Sequence, residues 1–310
     1  MSNLLDKIKE STKYVSDNSK YVKINYEKLD EIIEAGEFGN IRYWLDTNPF
    51  GILEMNYRDI INFLLVYHTI GDFCFWGDPK WEIETENGNL DGSYAIMYIL
   101  INRYNENKDM NMSYEEFSGL LKGNVEIPLL KERYNCLLEM NNYLDGIGKD
   151  FYDEIKEKNE DIELLEYIVN TFNYFYDESI YNGTKIYFYK RAQLLVSDIL
   201  HVRKLVEMVD VDYSNLVGCA DYKIPQVMYS LGILEYDYEL EFKLARKDEI
   251  VENSDYEVEI RANGLVVIDY IYEKLNSNIC RMDINDYIWL LGQDKSKMTK
   301  NYHRTRTIHY

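Results

Sequence analysis

With 310 residues, 55 acidic side chains against 34 basic ones and a formal charge of −21 at pH 7, the chain is long enough to bury a sizeable core without covalent staples. That balance repels a polynucleotide phosphate backbone, so no long nucleic acid is expected as a partner, although solvated acidic surface accounts equally well for the excess. Cys74, Cys136, Cys219 and Cys280 form no CxxC pair or Cys/His cluster, which argues against a disulfide framework, structural zinc or any bound metal.

In chain order, the amino-terminal stretch MSNLLDKIKESTKYV lacks the apolar core of a signal peptide. YRDIINFLLVYHTI follows the turn-like TNPFGI and places Ile60, Ile61, Leu64 and Leu65 at helical spacing. WEIETENGNLDG reads as a hairpin around Asn87-Gly88. MSYEEFSGLLKG opens with a Ser113 and Glu116 capping box and is expected to stop at Gly123. Residues 126–177 suggest two helices with a glycine-containing break, followed by TKIYFY as an edge strand. IPQVMYSLGIL puts Pro225 in a first helical turn and Gly232 at its close, with Asp221 just upstream. RANGLVVIDYIYEKL and INDYIWLLG complete a mainly α chain with a small β element. Four prolines and no Ser/Gly-rich linker mark no boundary, so residues 1–310 are read as one domain or two intimately packed helical lobes. No apolar run approaches the roughly 20 residues of a spanning helix, and a soluble, cytoplasmic protein without membrane contact is expected.

Walker A, GxGxxG, HExxH and GxSxG patterns are all missing, which removes the common footholds for nucleoside triphosphate, dinucleotide, zinc-protease and serine-hydrolase chemistry. His68 and Asp72, four apart, suggest a capping or core contact before a metal half-site. Four clusters combine less common residue types. DFCFWGDPKW sets Phe75 and Trp76 among Asp72 and Asp78, where carboxylates need more explanation than aromatics do. FYKRAQLLVSDIL puts the adjacent cations Lys190 and Arg191 on a helix that otherwise reads as core. GCADYKIPQ holds Asp221 at a helix start, and YHRTRTIHY makes a basic patch of His303, Arg304 and Arg306. A cap and a solvated tail are the plain alternatives for the last two.

Taken in order, ESTKYVSDNSKYVKIN, FCFWGD, DGSYA, FYKRAQLLVSD, ADYKIPQ, EVEIRA and YHRTRTIHY resemble the queuosine salvage protein family, the queuosine 5′-phosphate N-glycosylases, over nearly the whole chain. The resemblance implies hydrolysis of queuosine 5′-phosphate to queuine and ribose 5-phosphate, without a cofactor. It also implies a helical fold similar to that of helix-hairpin-helix DNA glycosylases. One departure stands near Trp289, where the family pattern has an acidic residue four positions earlier and this chain has Asn285 followed by Asp286.

N-glycosidic cleavage builds positive charge on the sugar, so an ionised carboxylate beside C1′ is the most useful single group, and Asp221 is the candidate. Lys190 has three open roles: holding Asp221 ionised, reaching the 5′-phosphate, or attacking as an amine to give a Schiff base, the last ranked below water attack. Phe75 and Trp76 are expected to stack the base, and Asp72, Asp78 or Asp286 to accept from its edge or its ammonium arm. His303, Arg304 and Arg306, helped by Arg191, are expected to bind the phosphate. The partner implied is this small molecule, with the protein a monomer. A DNA or RNA glycosylase of similar fold and a non-catalytic nucleotide-binding protein are the competing functions.

Overall fold

In the computed structural model, which describes residues 3–36, 43–47, 49–208, 211–275 and 279–310, Tyr57–Ile70 forms the helix its spacing predicts. Asn56 caps it by accepting from the Asp59 amide at 3.1 Å, and every side chain from Ile60 to Ile70 except Asn62 is buried. The Ser113 and Glu116 capping box opens Tyr114–Leu120, as expected. Gly123, however, does not end that helix. A Cβ there would come within 2.5 Å of the Trp81 indole nitrogen and 2.4 Å of the Glu82 carbonyl, so this glycine is required by close approach rather than by termination.

Among the described residues there are thirteen α-helices and three two-stranded antiparallel sheets, a mainly α architecture. The expected hairpin pairs Glu82–Thr85 with Gly88–Asp91, its two-residue turn being Glu86-Asn87, one position earlier than the Asn-Gly signal suggests. The TKIYFY strand is Thr184–Tyr187, and its partner Glu178–Tyr181 carries no turn-flanked apolar run of its own. A third pair joins Val22–Ile24 to Leu234–Tyr236, a long-range contact that periodicity does not reveal. In residues 126–177 a short helix, Phe151–Ile155, adds to the two expected, Leu130–Ile147 and Asp161–Thr171. No helix among the described residues is long and apolar enough to cross a membrane.

Two helices run through the core and carry buried charge, which a core tolerates only when partners are supplied. Asp255–Leu275 buries Glu257, Glu259 and Arg261. Glu259 accepts from the amides of Lys20, Tyr21 and Val22 and from the Tyr181 hydroxyl, tying the amino-terminal segment to this helix. Arg261 grips both oxygens of Asp177, at 2.9 and 2.6 Å. Lys190–Glu207 is the second, and it holds the two adjacent cations.

Candidate active site

The Lys190-Arg191 pair divides its work between two sides of one helix. Arg191 turns inward and donates to the carbonyls of His68 and Thr69 (2.6 Å), satisfying orphan acceptors at the end of Tyr57–Ile70, and to that of Tyr174 (3.0 Å). Arg133 does the same for the Ile70 and Cys74 carbonyls. Lys190 instead faces a pocket. Its backbone amide donates to Asp177 Oδ2 at 3.2 Å, so the ion pair with Arg261 also fixes where this helix begins. The residue is 5 % exposed, and its ammonium makes no hydrogen bond or ion pair with the described residues.

The strand-like segment leading to Asp221 is held by three side chains from three different helices. Gln193 Oε1 accepts from the Val217 amide at 2.8 Å while its Nε2 donates to the Gly218 carbonyl at 3.0 Å. Asn285 Oδ1 accepts from the Cys219 amide at 3.0 Å, and Arg261 Nε donates to the Ala220 carbonyl at 3.0 Å. At Gly218, φ is +121° and a Cβ would meet Ile268 at 3.0 Å, so the turn needs glycine on two counts. Asp221, 7 % exposed, then accepts from the Ile224 amide at 2.8 Å through Oδ1. It therefore closes the amino end of Lys223–Ser230 and lines the pocket at the same time.

Between its atoms this pocket holds about 600 Å³ of space, counting the part open to solvent. Rings of Trp44, Tyr67, Phe75, Tyr222, Trp289 and Tyr310 form its walls, with Ser93, His68, Asp72, Lys190, Asp221, Asn285 and Asp286 as polar groups. Burial raises the Asp221 carboxyl above its ordinary range, and the Lys190 charge and the Ile224 amide pull it back. Asp72 sits lower, at about 2, because Lys190 and His68 overcome its burial. Burial would lower His68, yet the carboxylates on both sides hold it at about 9: Nδ1 meets Asp72 at 2.6 Å and Nε2 meets Asp198 at 2.8 Å. Burial leaves Asp286 protonated well above the usual carboxyl range.

The His68 pair has a stability signature. Its folded pKa of about 9 exceeds the ordinary 6.5, so the stabilisation is complete below 6.5 and is lost as pH rises through 9. Asp72 adds the other edge, present above 3.8 and lost as pH falls through about 2. Urea unfolding from pH 6.5 to 9.5 is expected to show a loss on the order of 3 kcal/mol that Asp72→Asn flattens. A parallel decline in the variant would assign the slope elsewhere.

Of the residues singled out from sequence, Asp72, Phe75, Lys190, Asp221 and Asp286 come together here. Trp76, Asp78, Arg191, His303, Arg304 and Arg306 do not line this cavity. Trp76 donates its indole N–H to the Thr305 carbonyl at 2.8 Å, and the Arg306 guanidinium lies 4.4 Å from its ring. Arg304 pairs with Asp78 at 2.7 Å, and the Asp78 side chain is 73 % exposed. His303 is buried against Tyr310, and burial with the Arg261 charge lowers it to about 3, so it carries no charge at neutral pH. The carboxy-terminal segment thus acts as a strap across residues 74–78, also accepting the Cys74 amide at the Thr307 carbonyl. Sequence reasoning missed Trp44, Tyr67, Tyr222 and Asp198. Asp198 alone left a visible signal, a carboxylate eight residues after Lys190 on a helix with an apolar surround.

Among the described residues no three His, Cys, Asp or Glu side chains gather as a metal site. What the pocket offers is carboxyl groups and a lysine cation within aromatic walls. A profile of the family described as queuosine salvage protein matches residues 53–310. The queuosine 5′-phosphate N-glycosylase/hydrolase of Sphaerobacter thermophilus is 32% identical over 317 residues, covering 97% of this chain and 96% of its own. Proteins of the same name from Dictyostelium discoideum and Bos taurus are 28% and 26% identical, covering 99% and 97% of this chain and 100% and 98% of theirs.

Proposed function

Because this chain belongs to the queuosine salvage protein family, we propose that it hydrolyses the N-glycosidic bond of queuosine 5′-phosphate, releasing queuine and ribose 5-phosphate. Its class is that of the N-glycosyl hydrolases. The observation that supports the reading most directly is Asp221: a carboxyl with one oxygen committed to a helix end, opening on an aromatic-walled pocket that also holds an unpaired lysine.

As the C1′–N bond stretches, positive charge spreads over the ribose ring, and an ionised Asp221 beside it lowers that barrier. The same carboxylate takes a proton from the water that adds to C1′. Lys190 opposes the rise that burial imposes on Asp221 and so favours its ionised form. The aromatic walls stack the base, and Asp72, already ionised, accepts from its N–H groups or from the ammonium of its side arm. The likeness of the helical scaffold to helix-hairpin-helix DNA glycosylases belongs to this same proposal. Chromatography of the products formed from queuosine 5′-phosphate tests the reading: free queuine and ribose 5-phosphate are expected, and ligand-induced thermal stabilisation without base release would leave a binding protein instead.

The phosphate is best assigned to Lys190 rather than to the carboxy-terminal arginines, because Arg304 is paired with Asp78 and neither Arg304 nor Arg306 lines the pocket. Arg304→Ala is accordingly expected to leave the ratio of KM for nucleotide to KM for nucleoside within about twofold of the parent value. A selective rise for the nucleotide would return the phosphate to Arg304.

A further inference from the structure

Five groups run in a hydrogen-bonded line behind the pocket. Asp72 meets His68 Nδ1 at 2.6 Å, and Asp198 Oδ2 meets His68 Nε2 at 2.8 Å. Asp198 Oδ1 accepts from the Trp44 indole at 2.9 Å and from the Tyr43 hydroxyl. The Trp44 backbone amide donates in turn to Asp286 Oδ2 at 3.1 Å. Trp44 thus holds a carboxylate by its ring and a second carboxyl by its main chain.

The two ends of this line face the same cavity in opposite surroundings. Asp72 has His68 against it, with Lys190 and Arg191 contributing positive potential. Asp286 is 2 % exposed and has no cationic partner among the described residues. The charged groups nearest it, Asp198 on the facing helix and Asp283 on its own, are both carboxylates. Tyr43, Tyr213 and Cys219, the titratable groups that face it from the packed segments, are uncharged at neutral pH, since burial raises all three. Its remaining contact is Asn285 Nδ2, at 3.4 Å from Oδ1. Both hydrogen bonds to Asp286 come from donors and favour its carboxylate, but burial beside two other carboxylates outweighs them, and no acceptor among the described residues meets an acid proton on it, which leaves that proton to a ligand.

We propose that Asp286 is the general acid that protonates the departing base, and that Asp198 and His68 are positioning residues that keep it a donor while keeping Asp72 an acceptor. This deepens the N-glycosidase reading and rests on it. The electron pair of the breaking C1′–N bond goes to the base, and the Asp286 proton moves to a basic atom of that base, a ring nitrogen or the exocyclic oxygen. The water oxygen bonds to C1′ and gives its proton to Asp221. After product release, one proton passes through solvent from Asp221 back to Asp286, so each turnover consumes one water. A 7-deazaguanine lacks the N7 at which ordinary purines are protonated, which makes a placed donor more valuable. Asp198 contributes at a distance. Its charge discourages ionisation of Asp286, and through His68 it supports that of Asp72.

The test is steady-state hydrolysis of queuosine 5′-phosphate across pH by the wild-type protein, Asp286→Asn and Asp198→Asn, with melting temperatures as fold controls. Wild-type kcat is expected to fall at high pH as Asp286 ionises. Asp286→Asn, which keeps a donor but cannot give up a proton, should lose on the order of 100-fold in kcat with KM within about threefold, and should lose that basic limb. Asp198→Asn should move the limb to lower pH by about one unit. Unchanged kcat in Asp286→Asn, a loss confined to KM, or an unmoved limb in Asp198→Asn would each overturn the assignment. Should Asp286→Asn not fold, the wild-type and Asp198→Asn limbs still decide. A wild-type protein that hydrolyses the nucleotide with no basic limb refutes this inference alone, whereas one that releases no base refutes the N-glycosidase reading as well.

Discussion

Asp221→Asn is expected to cut kcat on the order of 1,000-fold, equivalent to about 4 kcal/mol, while the protein still binds its nucleotide. The size follows from Coulomb's law: a unit charge about 4 Å from a developing cation at an effective dielectric of about 20 is worth roughly 4 kcal/mol. Asparagine preserves the other function of this residue, since its side-chain oxygen can still accept from the Ile224 amide and close Lys223–Ser230. Stability should therefore hold. It is expected to rise slightly where the parent residue is ionised, because the substitution removes the desolvation that pushes this carboxyl upward. Turnover by product chromatography and melting temperature with and without ligand check both halves. Retained turnover removes Asp221 from the chemistry, and a collapsed melting temperature would make the helix end its main role.

Much of this site was legible because its parts lie next to chain punctuation. Asp221 precedes a proline-bearing helix start, and Lys190 opens a helix whose apolar spacing is otherwise regular. The same sequence cue misleads for Arg191, since adjacent residues on a helix point about 100° apart. One cation lines the pocket while its neighbour serves carbonyls on another helix. The terminal HRTR run looked like a phosphate site because composition shows charge but not its partners, and Asp78 lies 226 positions away from Arg304. Trp44 and Tyr67 were indistinguishable from core aromatics, as walls of a pocket and of a core share the same burial. Asn285 illustrates the opposite case. Read as a departure from the family pattern, it proves to hold the Cys219 amide, so the position positions Asp221 while Asp286, one residue on, enters the pocket.

Lys190→Met is expected to move the acidic limb of kcat/KM to higher pH by about one to two units. Lys190 is the largest influence opposing the burial of Asp221, so without it the carboxyl is left to the Ile224 amide, Lys223 and its own desolvation, and it ionises later. The sign is fixed: burial raises Asp221, Lys190 lowers it, and removing the lysine raises it further. Two features separate this role from the alternatives. Above the displaced limb, a lysine that acts by its field leaves a recoverable kcat, within about tenfold of the parent, because Asp221 is ionised again, while KM for the nucleotide stays raised by the lost phosphate contact. A lysine that attacks C1′ as an amine leaves none at any pH, and borohydride would trap an enzyme–sugar adduct on the parent protein. Lys190→Arg, which keeps the charge but changes the reach, is expected to restore the position of the limb more fully than the maximal rate, since the guanidinium needs space that Asp72, Cys219 and Leu194 already border. A pH profile merely scaled down in Lys190→Met, with its limb unmoved, would show that Lys190 does not govern the ionisation of Asp221 and would restrict it to binding the phosphate.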